Sequence, residues 1–335
     1  MEELAVGVDV GGSHISAGLV DRRGSLLAVE TSALPRDDCG RAPPRSVASA
    51  IGRLVERLVG EGDACARYRG SGRLIGVGIG LPGVTSQPEG RILEAGNLGW
   101  TGSVSADAAR EIRGVLSSID VEVRVDNDAN LAALGEWYAG AGRGARCLLC
   151  VTIGTGIGGG IVVDGRLFRG AMGYAGEIGH LKVAREGRPC SCGGRGCLET
   201  VASGTAIATY AQEAVATRES AGEPVGMLGT AYRERRLTAR DVFDAARAGD
   251  RLATAIVKEA AEHLGFALAG AVNLLNPDVI VLGGSVSLAG DVLLHPVRDA
   301  VARYSMAVPG SVVRVEAAGL GPHAAIVGGA ALWFS

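Results

Sequence analysis

The chain has 335 residues, 47% hydrophobic and 21% charged, which is the balance of a globular protein of about two domains and excludes a disordered chain. Net charge is −3, with 33 basic and 36 acidic residues scattered along the sequence, so there is no electrostatic footprint for nucleic acid. No apolar run approaches the ~18 residues of a membrane span, and the start Met1-Glu2-Glu3-Leu4 lacks the basic and apolar regions of a signal peptide; the cytoplasm is the expected compartment.

Ala5–Val10 reads as a buried strand that breaks into the turn Gly11-Gly12-Ser13, and Ser16–Val20 resumes strand character before Asp21-Arg22-Arg23-Gly24. Val47–Leu58 is helical in pattern, and Leu74–Ile79 is a strand ending in Gly80-Leu81-Pro82-Gly83. Val104–Leu116 is helical again, and Val121–Val125 is a strand ending in Asp126-Asn127-Asp128. Leu148–Ile153, Gly154–Gly160 and Ile161–Val163 then repeat the opening grammar at an offset of 143, pairing Val8 with Val151 and Gly11 with Gly154. This predicts an internal repeat of half the protein, with two unrelated hairpins as the alternative. Helical stretches follow at Gly204–Ala216, Thr238–Ala248 and Arg251–Leu275, then a strand at Val279–Leu282 and a glycine-rich ending over Gly319–Phe334. Strands alternating with helices predict a mostly parallel sheet. Residues 30–46, 60–73 and 218–226 read as surface loops.

Glycine is the compositional anomaly: the 53 glycines exceed twice the usual ~7% share. They cluster at 7–12, 76–83, 154–160 and 283–284, each at the end of an apolar run, so a strand followed by a glycine turn is the recurring unit. Lysine is nearly absent, with only Lys182 and Lys258.

His180 and the run Cys190-Ser191-Cys192-Gly193-Gly194-Arg195-Gly196-Cys197 supply the three cysteines and one histidine of a tetrahedral zinc site, and the glycines let the chain wrap a small ion. Buried or disulfide-bonded cysteines are the alternative, disfavoured in a reducing compartment. Four protein ligands leave no place for a catalytic water, so the zinc is expected to be structural. Cys147 and Cys150 fall inside a strand and read as core residues, while Cys39 and Cys65 sit in loops and carry no signal.

The glycine turns after Asp9 and at Thr155 present backbone N–H groups to an anion, and Asp9 adds a carboxylate of the kind that holds Mg²⁺ beside a phosphate chain. Two such turns facing each other would grip a nucleoside triphosphate. No lysine follows these glycines, so they are not a Walker loop, and a strand after Gly154–Gly160 argues against a dinucleotide fingerprint. Asp126-Asn127-Asp128-Ala129-Asn130, Glu177, His180 and Glu199 suit a polyhydroxylated substrate; singly, each is more readily a surface or capping group.

Together these residues resemble the ROK family of bacterial sugar kinases and sugar-responsive repressors, within the actin-like ATPase superfamily. The resemblance runs from Val6 to Leu332, and its most specific stretch is Gly176-Glu177-Ile178-Gly179-His180 through Cys197-Leu198-Glu199. Asn127-Asp128-Ala129-Asn130 and Leu275-Asn276-Pro277-Asp278 through Gly283-Gly284 also match. The resemblance implies an α/β, two-domain actin-like and ribonuclease H-like fold with repeated sheet halves and an interdomain cleft. A smaller domain would span 1–127 plus about 318–335, and a larger one 128–317. Asp128 would be the catalytic base; Asn127, Glu177, His180 and Glu199 would hold sugar hydroxyls, with Gly83 and Asn97 in the substrate loop.

By the same resemblance, Asp9, Gly11, Gly12 and Ser13 would form the first phosphate loop, Thr155 and Gly156 the second, and Gly283 and Gly284 the adenosine end. Zinc would be bound by His180, Cys190, Cys192 and Cys197, with ATP and transient Mg²⁺ as the other cofactors. The expected reaction is transfer of the γ-phosphate to a hexose hydroxyl, the 6-hydroxyl first. Glucose ranks ahead of N-acetylmannosamine or N-acetylglucosamine, then an amino sugar or cyclitol. Ser13 stands where threonine is commoner, and Ser285 replaces a frequent third glycine. The family's repressors carry a DNA-binding segment ahead of the first phosphate loop, and Asp9 as ninth residue leaves no space for one, so an enzyme is expected over a sugar-sensing regulator. A polyphosphate donor stays open, and a dimer or tetramer is expected.

Overall fold

The computed structural model describes residues 2–59, 72–86, 91–119, 121–286 and 289–334. Cys65 and nearly all of the 60–73 loop lie outside the described residues. In chain order the elements are β1 (Glu2–Val10), β2 (His14–Asp21), β3 (Leu26–Ala33), α1 (Pro44–Val59), β4 (Gly72–Leu81), β5 (Val84–Ser86), β6 (Arg91–Ala95), β7 (Trp100–Thr101), α2 (Ser103–Leu116), β8 (Val123–Asn127) and α3 (Asp128–Ala139). Then come β9 (Cys147–Ile153), β10 (Ile157–Val163), β11 (Arg166–Leu167), α4 (Glu199–Ala202), α5 (Gly204–Ser220), α6 (Gly226–Glu234), α7 (Ala239–Arg247), α8 (Arg251–Leu275), β12 (Val279–Gly283), α9 (Asp291–Tyr304), α10 (Ala307–Val312), β13 (Arg314–Ala317) and α11 (Ala324–Ala331).

The chain divides into two compact units, Met1–Arg146 with Gly160–Gly176 and Gly319–Ser335, and Cys147–Gly159 with Glu177–Ala318. In the first, a sheet runs β3-β2-β1-β4-β8. β1 pairs antiparallel with β2 and parallel with β4, and β4 pairs parallel with β8. Alternation along β1 separates two faces: Val6, Val8 and Val10 join the core built with α1 and α2, whereas Ala5 packs with Ile326 and Ala330 of α11. Pro44 opens α1 where its missing N–H costs nothing, and Val47, Ile51, Leu54, Val55 and Leu58 are fully buried along one face. Each such side chain contributes about 1.5–3 kcal/mol over an exposed one.

Close packing of α11 accounts for several of the glycines. A Cβ on Gly7 would stand 1.7 Å from the Ile326 carbonyl oxygen, and one on Gly78 2.0 Å from that of Gly329. Toward α3, a Cβ on Gly328 would meet the Leu131 oxygen at 1.7 Å, and one on Gly135 the Ala324 oxygen at 2.1 Å. Helix and sheet therefore touch backbone to backbone, a spacing no larger residue permits. This packing places α3 in the first unit, whereas the sequence reading sets the domain boundary ahead of Asp128. The buried Glu136 of α3 strengthens the tie: its carboxylate accepts the N–H groups of Ala141, Gly319 and Leu320 at 2.8–2.9 Å.

The second sheet runs β11-β10-β9-β12-β13, the same order of third, second, first, fourth and fifth strand. β12 pairs parallel with β9 and β13, and β10 antiparallel with β11. The 143-residue offset is thus a repeat of topology. In the second unit, α8 is capped by the Asp250 carboxylate accepting the Ala253 N–H at 3.0 Å and ends at Asn276 in the left-handed conformation, φ 47°. The structure shortens two predicted loops, since β3 reaches Ala33, α1 starts at Pro44 and α5 continues to Ser220. Cys150 is in the core, and Cys147 is half-buried.

Candidate functional site

In the first unit, strand register brings the candidate residues to one sheet edge. Asp9 pairs with Gly80, and Gly80 pairs in turn with Asp126, so the ends of β1, β4 and β8 are level. A Cβ on Gly80 would lie 3.3 Å from the Asp128 Cα. Beyond Asp9, the first glycine turn closes by a 2.9 Å hydrogen bond from the Gly11 N–H to the His14 carbonyl. The Ser13 Oγ lies 2.8 Å from His14 Nδ1. Burial of the Asp9 carboxyl pushes its pKa up to about 6.

Arg36, which sequence reasoning did not single out, donates through Nη2 to the Gly12 carbonyl at 2.6 Å, and the Leu34 N–H donates to that of Ser13 at 2.8 Å. The signal for it is the β2–β3 register, which pairs His14 with Ala33 and carries the chain after β3 back over the turn.

Asn127 caps α3, its Oδ1 accepting the Asn130 N–H at 2.9 Å, while Nδ2 donates to the Gly83 carbonyl at 2.7 Å. Asp128 is the first helical residue, and its Oδ1 accepts the Ala129 N–H at 2.8 Å. Asn127 is held from behind by Asp126, 1% exposed. Its Oδ1 accepts from the Asn127 N–H and Asn130 Nδ2, and its Oδ2 from Nε and Nη2 of Arg169 at 2.8 and 2.6 Å. Arg169 is a second residue the sequence left unmarked. Gly83 takes φ 114°, and a Cβ there would strike the Glu94 carbonyl at 2.0 Å. Asn97 is exposed in the 3-10 turn Gly96–Leu98, followed by buried Trp100, whose Nε1 donates to the Ala42 carbonyl at 2.6 Å.

In the second unit, His180, Cys190, Cys192 and Cys197 each offer a ligand atom, all within 4.8 Å of one another. Cys190 Sγ lies 3.6 Å from His180 Nδ1, and Cys192 Sγ 3.6 Å from Cys197 Sγ. Zinc–sulfur bonds of about 2.3 Å in a tetrahedron set sulfurs about 3.8 Å apart, so the donor set fits zinc. Burial pushes the Cys197 thiol up to about 11, whereas the Gly194 N–H first of all holds Cys192 below its ordinary value. Nδ1 faces the sulfurs, which leaves Nε2 toward Glu177, 3.8 Å from Oε2. Burial raises the Glu177 pKa, with His180 opposing and Glu199 adding to the rise.

Glu199 opens α4, and its Oε2 accepts the Ile157 N–H at 2.9 Å, directly after the Thr155-Gly156 turn. A Cβ on Gly156 would lie 2.3 Å from that oxygen, so glycine here makes room for the carboxylate. The Gly283-Gly284 pair is beside the same turn: Gly283 pairs with Thr152, and Gly284, φ 80°, would bring a Cβ within 2.5 Å of the Ile153 oxygen. Each unit thus gathers its own share of the candidate residues.

A duplicated five-stranded sheet, with a glycine turn after the first strand of each copy, defines a chain of the actin-like ATPase build. The chain belongs to the ROK family, whose model matches residues 5–335. It is 40% identical over 326 residues to the glucokinase of Halalkalibacterium halodurans, covering 97% of this chain and 93% of that one. A putative xylose repressor of a Caldicellulosiruptor species is 32% identical, over 99% of this chain and 78% of the repressor. Among solved structures, a ROK family glucokinase from Streptomyces griseus in complex with glucose and AMPPNP matches with a TM-score of 0.78. It is 34% identical, over 98% of this chain and 99% of that chain.

Proposed function

We propose that this chain is an ATP-dependent kinase that phosphorylates glucose at its 6-hydroxyl. The observation that carries the reading is Asp128 at the start of α3, fixed beside Asn127 on the sheet edge that also bears Asp9 and the first glycine turn. Near full-length similarity to glucokinases supports glucose as the acceptor.

Phosphoryl transfer needs an in-line nucleophile and neutralised charge more than covalent help. Asp128 takes the proton of the sugar hydroxyl as its oxygen attacks the γ-phosphorus and ADP departs. Asn127, Glu177, Glu199 and His180 hold the other hydroxyls, with Gly83 and Asn97 lining the sugar loop, so that the attack is effectively unimolecular. Amides of Gly11, Gly12 and Ser13 and of the Thr155-Gly156 turn cradle the phosphates, and Gly283-Gly284 borders the adenosine. The buried Asp9 carboxylate suits a divalent cation, and bound Mg²⁺ would neutralise charge on the γ-phosphate. Zinc on His180, Cys190, Cys192 and Cys197 would fix the imidazole so that Nε2 addresses Glu177 and the sugar.

The protein is read as a cytoplasmic homo-oligomer. Leu274, Met306, Val308 and Val312, exposed at 62–83% along α8 to α10, supply apolar surface of the kind oligomers cover. No described helix is long and apolar enough to cross a membrane.

The test is ADP release from Mg-ATP across glucose, mannose, their N-acetylamino and amino derivatives, and cyclitols. Turnover is expected with glucose foremost. Silence with ATP but turnover with polyphosphate would change the donor. Sugar binding without turnover from either donor would favour the regulator reading, to which the repressor similarity belongs. Elemental analysis is expected to find about one zinc per chain; active protein free of metal would overturn the zinc assignment.

A further inference from the structure

We propose that Lys182 is an outer-shell cation of the zinc site, whose ammonium hydrogen-bonds the Cys197 thiolate and offsets the negative charge of the metal centre. The inference rests on the zinc reading above. Zinc with three thiolates and a neutral imidazole carries a net charge of −1, and Glu177 stands 3.8 Å from the same imidazole. A centre of that charge is more stable with a cation against a sulfur.

Local backbone pairing provides one. Lys182 and Cys197 form an antiparallel β-bridge, flanked by hydrogen bonds from the Leu198 N–H to the Leu181 carbonyl and from the Val183 N–H to the Gly196 carbonyl, both 2.9 Å. Residues opposed across such a bridge carry their side chains next to each other, and Lys182 Nζ reaches Cys197 Sγ at 2.7 Å. Gly194 leaves the space: a Cβ there would stand 2.5 Å from Nζ. Residue choice points the same way. The chain has 33 basic residues and only two are lysine, and this one presents a compact ammonium where a small, strongly donating charge is needed.

The experiment compares full-length wild type, Lys182→Met and Lys182→Arg, each loaded with zinc. Zinc affinity and release rate are read by competition with a chromophoric chelator. Lys182→Met keeps the aliphatic stem and loses the charge, so zinc affinity is expected to fall about 10–100-fold, the usual effect of removing an outer-shell partner. Lys182→Arg keeps the charge but not the compact head, so it is expected to restore part of the affinity. In cobalt-substituted protein, the sulfur-to-cobalt absorption band of the Met variant is expected at longer wavelength, because a thiolate without its hydrogen-bonded cation gives up electron density more readily. Met and wild-type proteins with the same affinity and the same cobalt band overturn the proposal, as does an Arg variant as weak as Met. Wild type that binds no zinc overturns the zinc reading and this proposal with it, so the two failures are distinguishable.

Discussion

Asp128→Asn is expected to lower kcat for glucose by about 10²–10⁴-fold, the range for loss of a general base, with glucose affinity nearly unchanged. The substitution keeps the shape of the side chain and its Oδ1, which accepts the Ala129 N–H. The Asn127 cap on Asn130 and its bond to the Gly83 carbonyl are not touched, so the substrate loop stays anchored. What disappears is a group able to take the hydroxyl proton as the bond to phosphorus forms. The change also removes a carboxylate from a helix N-terminus, worth about 0.3–1 kcal/mol, too small to unfold the protein. Trp100, buried two residues past Leu98 of the substrate-loop turn, offers a fluorescence readout of sugar binding independent of turnover. Near-normal kcat in this variant would remove Asp128 from the chemistry. Lost binding together with lost turnover would make it a binding residue.

What could be read in the sequence was local, and what could not was distant. The two strand–glycine–strand units were legible because buried strands are unbroken apolar runs. The bounds of α8 were legible because Asp250 and Asn276 punctuate a sustained apolar period. The zinc ligands crowd into 18 residues. By contrast α3 has no amphipathic signature, since Ala129 through Glu136 are all buried and a helix apolar on every side carries no period. Asp126 is visible as part of an acidic run, yet its partner Arg169 is 43 residues away. Glu136 answers to Gly319 and Leu320, more than 180 residues on. Even the domain boundary depended on contacts of this kind, because Gly135 and Gly328 let α11 bind α3 into the first unit. Lys182 is intermediate: it is conspicuous as a rare lysine, but its meaning appears only when the bridge to Cys197 is seen.

Asp9→Asn is expected to abolish most turnover while making the protein harder to unfold, and the gain should depend on pH. The folded pKa of Asp9 is raised from 3.8 to about 6 by burial, so the folded state holds this proton more tightly than the unfolded chain does. Stability is therefore lost as pH rises from about 4 through 6, and above 6 the full cost of a buried carboxylate is carried. A two-unit gap corresponds to about 3 kcal/mol at ~1.4 kcal/mol per unit, and partial exposure of the side chain reduces this to about 1–2 kcal/mol. Asparagine escapes the cost, so at pH 7.5 its melting temperature should exceed that of the wild type by roughly 1–3 °C. About half of that gain should remain at pH 5, and it should shrink further toward pH 4. Mg-ATP should reverse the order, because bound cation compensates the wild-type carboxylate and stabilises only the protein that can hold it. Thermal melts at the two pH values, with and without Mg-ATP, decide the matter. A pH-independent difference would refute the burial argument. An active Asp9→Asn enzyme would refute the phosphate-loop role, and loss of activity together with a stability gain confined to high pH is the signature of a carboxylate kept for function against the preference of the fold.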